Sequence, residues 1–301
     1  MQTMQFVMAT GQINAQINFN NGTKINYNIG IQTGFGNGTT ASSGRTTSAT
    51  YIRLDSESWS TTGASSGIGA ATAKLLAENG FTVIAAARRF DRLNELAKSH
   101  SSIEAIELDV TDQASVDNFV KALGDRSIGL LVNNAGGAFD SAPIEKADPA
   151  VWQKTYEVNV LGTLRVTKAL LPKLRANGKS HIVVVTSTAG HATYENGGSY
   201  TSAKYAELAL AQTLRLELNG EPIRVSEIAP GMVKTEEFSA VRLGSKEAAE
   251  KVYEGVAEPL TAEDIAEAIR WCAMAPSHVN VDSLIIRPVA QAANHKIHRS
   301  K

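Results

Sequence analysis

The sequence predicts an α/β domain built on a doubly wound parallel sheet, a single domain carried behind an atypical polar N-terminal extension. Two observations point there. Short apolar runs alternate with amphipathic helical stretches from about residue 61 to residue 290, and a glycine-rich turn leads into the first of those helices. No internal repeat competes with that reading. The chain has 301 residues, with 29 Lys+Arg against 30 Asp+Glu and a net charge of -1, so the balance predicts neither a nucleic-acid nor a membrane partner. The single cysteine, Cys272, excludes an internal disulfide and fits a reducing, cytoplasmic setting. No apolar stretch reaches the ~18 residues of a spanning helix. A soluble, cytoplasmic enzyme is the expected class.

Residues 1–58 form the extension. Asn, Gln, Gly, Ser and Thr fill 31 of the first 50 positions, and the only charges there are Lys24 and Arg45. Ile13, Ala15, Ile17 and Phe19 alternate with polar residues; after Asn20-Asn21-Gly22-Thr23, so do Ile25, Tyr27, Ile29 and Ile31. Period-two alternation around Asn-Gly predicts a hairpin, because the tight turn needs residues that tolerate positive φ. Residues 33–50 read as a Gly/Ser/Thr linker. The extension is either an accessory β-appendage or a disordered or misassigned leader.

Residues 59–291 carry the domain. Phe81–Ala87, Ile103–Leu108, Ile128–Val132, His181–Thr186, Ile223–Ile228 and Ser283–Ile286 are expected strands. Ala70–Asn79, Gln113–Leu123, Val151–Ala176 and Ser202–Leu218 are expected helices, and Thr261-Ala-Glu-Asp264 opens another with a capping-box pattern. Continuous apolar strands between helices mean a parallel sheet covered on both faces. Residues 292–301 read as a frayed basic tail.

Thr62-Gly63-Ala64-Ser65-Ser66-Gly67-Ile68-Gly69 precedes a helix and stands one strand–helix unit before Phe81–Ala87. Glycines there permit a tight turn and close backbone approach, and a helix N-terminus offers N–H groups to a pyrophosphate. The next strand ends in Arg88-Arg89 rather than in the acid that would hold a ribose 2′-hydroxyl. Forked guanidinium donors suit a 2′-phosphate, so NADP(H) is the expected cofactor. Two merely solvated arginines are the alternative.

Tyr200-Thr-Ser-Ala-Lys204 places a phenol and an ammonium four residues apart on one helix face. A phenol ordinarily ionises near pH ~10, and a neighbouring cation favours its phenolate, which makes tyrosine usable as an acid or base. Ser187, at the end of a strand, can donate to a substrate carbonyl oxygen. Together with the glycine loop, Thr62–Gly69, Asn133-Asn134-Ala135-Gly136, Asn159, Ser187, Tyr200, Lys204 and Pro230-Gly231 resemble the motif set of the short-chain dehydrogenase/reductase family.

The resemblance implies a Rossmann-type sheet of order 3-2-1-4-5-6-7. It implies Asn159, Ser187, Tyr200 and Lys204 as the catalytic set: Tyr200 as acid/base, Lys204 on the nicotinamide ribose, Ser187 orienting substrate, and Asn159 holding a relay water. Gly63, Ser65, Ser66, Gly67, Ile68 and Gly69 would hold the pyrophosphate. Asp109 and Val110 would flank the adenine, Asn133, Ala135 and Gly136 the ribose side, and Pro230, Gly231, Val233 and Thr235 the carboxamide. Asp109 is alternatively a strand-end cap, and the asparagine pair alternatively satisfies loop backbone. Glu227 to Phe238 and His278 to Gln291 resemble the branch of NADP-dependent 3-hydroxy acid dehydrogenases, which includes serine and allo-threonine dehydrogenases. The implied partner is a small hydroxy acid whose carboxylate would meet Arg242. A homotetramer or homodimer through Val151–Ala176 and Ser202–Leu218 is implied by the same analogy. No metal-ligand spacing is present, so no metal is expected.

One departure stands out. Where such a domain needs a central apolar strand, this chain has Asp55-Ser56-Glu57-Ser58-Trp59-Ser60-Thr61. A buried unsatisfied hydroxyl costs about 1–3 kcal/mol, so this segment threatens the sheet and suggests replacement of the native domain start. A reductase of 3-oxoacyl carrier thioesters and a non-catalytic NADP-sensing protein are the competing readings.

Overall fold

The computed structural model describes residues 58–300, and before them the backbone of three strands. Those strands, β1 (Met4–Ala9), β2 (Gln12–Asn18) and β3 (Lys24–Gly30), make an antiparallel sheet in chain order. Ile13 lies opposite Ile29, Ala15 opposite Tyr27 and Ile17 opposite Ile25, the register that the alternation demands. The Asn20–Thr23 turn, the 33–50 linker and Asp55 to Glu57 lie outside the described residues. Residues 1–52 and 53–301 are separate compact units.

The second unit begins with β4 (Ser58–Thr62) and α1 (Gly67–Glu78). The elements β5 (Thr82–Ala87), α2 (Phe90–Ser99), β6 (Ile103–Glu107), α3 (Gln113–Ala122) and β7 (Ile128–Asn133) follow. Next come α4 (Pro149–Tyr156), a π-turn at Glu157–Leu161, α5 (Gly162–Asn177), β8 (Ser180–Val185), α6 (Gly198–Glu217) and β9 (Ile223–Pro230). The chain closes with α7 (Phe238–Leu243), α8 (Lys246–Tyr253), α9 (Ala262–Ala273), β10 (Ser283–Ile286) and the short pair β11 (Gln291–Ala293) and β12 (Lys296–Ile297). Seven strands pair in parallel in the order β6-β5-β4-β7-β8-β9-β10, which is 3-2-1-4-5-6-7 counted along the unit. The Rossmann-type doubly wound sheet is therefore present.

Two apolar layers cover the sheet. One joins Ala73 and Leu76 of α1, Leu93 of α2 and Ile265 and Ile269 of α9 to Val83 and Ala85. The other joins Phe119 of α3, Val166 and Leu170 of α5 and Ala211 and Leu214 of α6 to Ile84 and Ile182. The capping box at Thr261 is complete in both directions, which sets where α9 begins.

Of the polar segment, Ser58 to Thr61 do form the central strand. All five residues of β4 are buried, paired with β5 on one side and β7 on the other. Trp59 stacks on Phe81 with ring centroids 3.6 Å apart. Thr62 Oγ1 donates to Val132 O and accepts from the N–H groups of Asn134 and Ala135. The expected cost is also visible: Trp59 Nε1, Ser60 Oγ and Thr61 Oγ1 are buried without a partner.

The frayed-tail expectation is corrected. Residues 291–297 turn back as a two-strand pair around Asn294-His295. Asn294 Nδ2 donates to Thr188 O and Ala192 O, and Arg299 donates to Val252 O and Glu254 O at the C-terminal end of α8. Cations satisfy helix-end carbonyls well, and a charge count of the tail hides that specific use.

Candidate active site

A cleft of about 680 Å³ opens along the C-terminal edge of the sheet, where doubly wound folds place their ligands. At its inner end β4 delivers the chain into the glycine turn. Gly63 has φ +66°, and a Cβ there would stand 2.9 Å from Asn134 Nδ2 and 3.0 Å from Ala135 Cα. Gly67, with φ +53°, opens α1. The first turn of α1 holds no acid, and Ser66 makes no side-chain cap, so its N–H groups and positive end stay available to an anion. Gly69 is buried against Gly63 O rather than lining the cleft, and it lets helix and turn close together.

Ser65, Ser66, Ile68, Arg88, Arg89, Asp109 and Val110 all line this cleft. Asp109 Oδ1 accepts from Thr111 N and Thr111 Oγ1, so it also caps its own loop. Ala135, Gly136, Pro230, Gly231, Val233 and Thr235 line the cleft as well. Asn133 does not present its side chain there: it is buried, and its amide donates to Thr167 Oγ1 on α5 at 2.9 Å. Asn134 satisfies backbone, its amide donating to Thr62 O. The set of uncapped helix terminus, glycine cradle and basic corner fits a phosphorylated dinucleotide.

Ser187, Tyr200 and Lys204 line the same cleft. Ser187 follows β8; its Oγ accepts from Ala189 N at 3.1 Å and donates to Pro230 O at 3.3 Å, which positions the oxygen. Tyr200 lies in the first turn of α6, its ring edge-on to Phe238 at 5.5 Å. Lys204 Nζ stands 5.7 Å from the Tyr200 ring centroid and donates to Val185 O at 3.0 Å.

Asn159 sits in the π-turn that interrupts the long helix expected over Val151–Ala176. A π-turn widens the helix locally and re-aims its side chains. The Asn159 amide donates to Gly137 O and Thr155 O and accepts from Gly137 N. A Cβ on Gly136 would stand 2.6 Å from Asn159 Oδ1 and 3.5 Å from Lys204 Nζ, so glycine lets these two groups approach one point.

Three carboxylates have roles that the sequence did not assign. Glu207, three residues beyond Lys204, is buried and accepts from Lys204 Nζ at 2.5 Å and from Thr163 Oγ1 at 3.1 Å. Burial pushes the Lys204 ammonium toward deprotonation, but the adjacent Glu207 carboxylate outweighs it and holds the amine charged, its pKa raised. The i,i+3 spacing could have exposed Glu207. Glu227, on β9, is buried, accepts from Thr186 Oγ1 and from Ser283 Oγ at 2.6 Å, and meets His191 Nε2 at 2.8 Å. Glu237 reaches Arg89 from 148 residues away, a meeting that no local pattern announces.

A family model described as short chain dehydrogenase matches residues 60–251. The chain belongs to the short-chain dehydrogenase family. This chain is 52% identical over 233 residues to an uncharacterized oxidoreductase of Mycobacterium tuberculosis, a span covering 77% of this chain and 91% of the relative. It is 38% identical over 244 residues to the NADP-dependent 3-hydroxy acid dehydrogenase YdfG of Salmonella typhi, covering 79% of this chain and 98% of that one. Among solved structures, the closed form of serine dehydrogenase complexed with NADP+ superposes with a TM-score of 0.76 at 34% identity, covering 81% of this chain and all of that one. As a member of the short-chain dehydrogenase family the protein is an oxidoreductase acting on hydroxyl groups.

Arg242, on α7, lines the same cleft. Its guanidinium lies 5.3 Å from the Tyr194 ring centroid, and its Nε donates to Asp140 O at 3.4 Å. Among the ion pairs of the described residues, none involves Arg242. Cys272 is buried away from the cleft, and burial pushes its thiol up to about 11, which leaves it unreactive.

Proposed function

We propose that the protein is an NADP-dependent dehydrogenase acting at the 3-hydroxyl or 3-oxo carbon of a small hydroxy acid. The observation that carries the reading is one cleft holding Ser187, Tyr200 and Lys204 together with Arg242, a cation free of any carboxylate partner among the described residues. Arg242 offers a forked site for the acid group of a serine, allo-threonine or 3-hydroxypropionate substrate. The NADP-dependent relative and the NADP-complexed neighbour support the cofactor, and so do Arg88 and Arg89 in the cleft.

In the oxidative direction the Tyr200 phenolate oxygen takes the proton of the substrate 3-hydroxyl, and the Ser187 hydroxyl, turning from its long bond to Pro230 O, donates to the same substrate oxygen. Lys204, held cationic by Glu207, stabilises charge beside Tyr200 and has a remaining N–H for a ribose hydroxyl. Asn159 fixes the Gly136–Gly137 wall beside Lys204. The nicotinamide, when bound, supplies the acceptor or donor of the hydride. Arg242 holds the carboxylate and so sets which carbon faces the reacting groups.

NADP-linked oxidation of L-serine, L-allo-threonine and 3-hydroxypropionate tests the reading. Turnover is expected, and Tyr200→Phe should lower kcat by about 10²–10⁴-fold while NADPH binding persists. Arg242→Ala should raise KM for these acids by about tenfold or more with little change toward an uncharged alcohol. Preference for a carrier thioester, or NADPH binding without turnover of any hydroxy acid, sinks the substrate assignment.

The assembly is a further part of the reading. The α5 and α6 helices contribute to one apolar layer on the same sheet face and leave Leu164, Tyr205 and Leu216 exposed. These supply an apolar face for a second copy of the chain, as a homodimer or within a homotetramer.

A further inference from the structure

Glu237 occupies the basic corner of the cleft. Its Oε1 accepts from Arg89 Nη1 at 2.6 Å and from Arg92 Nη1 at 2.7 Å, and its Oε2 accepts from Ser66 Oγ at 3.2 Å. Arg89 is committed further: Nε and Nη2 donate to Ser65 Oγ at 3.2 and 3.0 Å, and Nη2 donates to Ser66 Oγ at 2.9 Å. A guanidinium has five N–H groups. Four hydrogen bonds from Arg89 are already drawn. Hydrogen bonding from Arg89, opposed by partial burial and reinforced by the charges of Arg89 and Arg92, holds the Glu237 carboxyl below its usual range, so it is an anion here.

Two arginines and a serine hydroxyl around one carboxylate are an anion site with its anion supplied by the chain. The same Ser65, Ser66 and Arg89 are the groups available to a ribose 2′-phosphate, which carries about −1.5 to −2 charges near pH 7. Both anions cannot hold this corner without like-charge repulsion, because Arg89 and Arg92 bring two positive charges against about 2.5 to 3 negative ones. Glu236, 3.6 Å from Arg92, adds another. Arg88, by contrast, is exposed and enters no ion pair among the described residues.

We propose that Glu237 is a specificity-determining residue, an internal competitor that the cofactor's 2′-phosphate displaces from Arg89. The inference rests on the NADP reading above and adds to it. Glu237 weakens NADP(H) selectively, leaving NAD(H), which brings no phosphate to that corner, untouched. Glu237 also immediately precedes α7, so its release from Arg89 frees the start of the segment that carries Phe238 and Arg242 along the cleft.

Fluorescence titration of NADPH and NADH measures this directly, on the full chain and on Glu237→Gln. The Gln variant should bind NADPH about fivefold more tightly, the factor a part-exposed ion pair of this kind is worth, with the NADH Kd unchanged. Glu237→Ala should move the same way, and Glu236→Gln much less. Adenosine 2′,5′-bisphosphate should gain over 5′-AMP by the same factor. Weaker NADPH binding by Glu237→Gln would show the carboxylate to be a clasp over bound cofactor and overturn the proposal. Equal tightening of both cofactors overturns it too. A full chain and a Glu237→Gln variant that both bind NADH as well as NADPH remove the cofactor assignment and this inference together, whereas clear NADPH preference with an unimproved variant removes only the inference.

Discussion

Lys204 and Glu207 are 5% and 1% exposed at their side chains, so neither charge has water to fall back on. Each depends on the other. Removing one partner of such a pair leaves a buried unpaired charge and costs about 3–5 kcal/mol, although a well-packed apolar replacement of both can be nearly neutral. Glu207→Leu is therefore expected to lose about that much stability in urea unfolding, while the same change made in a Lys204→Met background costs far less. Equal costs in the two backgrounds would mean the pair is not coupled. The Tyr200–Lys204 pairing was legible because four-residue spacing places both on one helix face. Glu207 shares that face, but nothing in the sequence says the face turns inward at residue 207, so burial rather than spacing hid it. Asn133 shows the converse. The motif that carries it was plain, yet only the fold shows its amide turned to Thr167.

At the level of the element, β4 joins two unlike facts. Its polar residues argued against a central strand, and the argument about cost was sound, since Ser60 Oγ and Thr61 Oγ1 have no partners. The strand forms because backbone pairing on both edges does not depend on side chains, because Trp and Thr suit a pleated surface, and because Thr62 is used three times. Opposite signs at neighbouring residues test this account. Thr61→Val removes an orphaned hydroxyl at nearly constant shape, and the melting temperature should rise by about 3 °C or more. Thr62→Val deletes a hydroxyl that holds Asn134 N and Ala135 N, and should lower both the melting temperature and dinucleotide affinity. A fall for Thr61→Val would mean that its hydroxyl has a partner after all. The π-turn at Asn159 was not legible, because the apolar period continues through it and only the hydrogen-bond pattern changes.

Across the whole molecule, the order of the sheet could be read because each strand–helix unit repeats one pattern, and right-handed crossovers leave few arrangements. The returning tail could not, since Asn294 and Arg299 act through distant carbonyls that have no signature in local composition. The hairpin register at the N-terminus could, because alternation on both sides of Asn-Gly fixes it. What the sequence holds least of is the outer surface, where the proposed assembly lies. Leu216 is 78% exposed on α6 and Leu164 45% on α5, on two helices that share one apolar layer beneath them. Exposed apolar side chains of this size lower the free energy of association in proportion to the area they bury. Light scattering on the purified chain should therefore give a mass of two or four copies. Leu164→Glu combined with Leu216→Glu should shift that mass toward one copy, with NADPH binding retained because the cleft lies at the edge of the sheet. A single-copy mass for the unaltered chain, at concentrations well above those of the assay, would place these leucines among ordinary surface residues and end the proposal of assembly through α5 and α6.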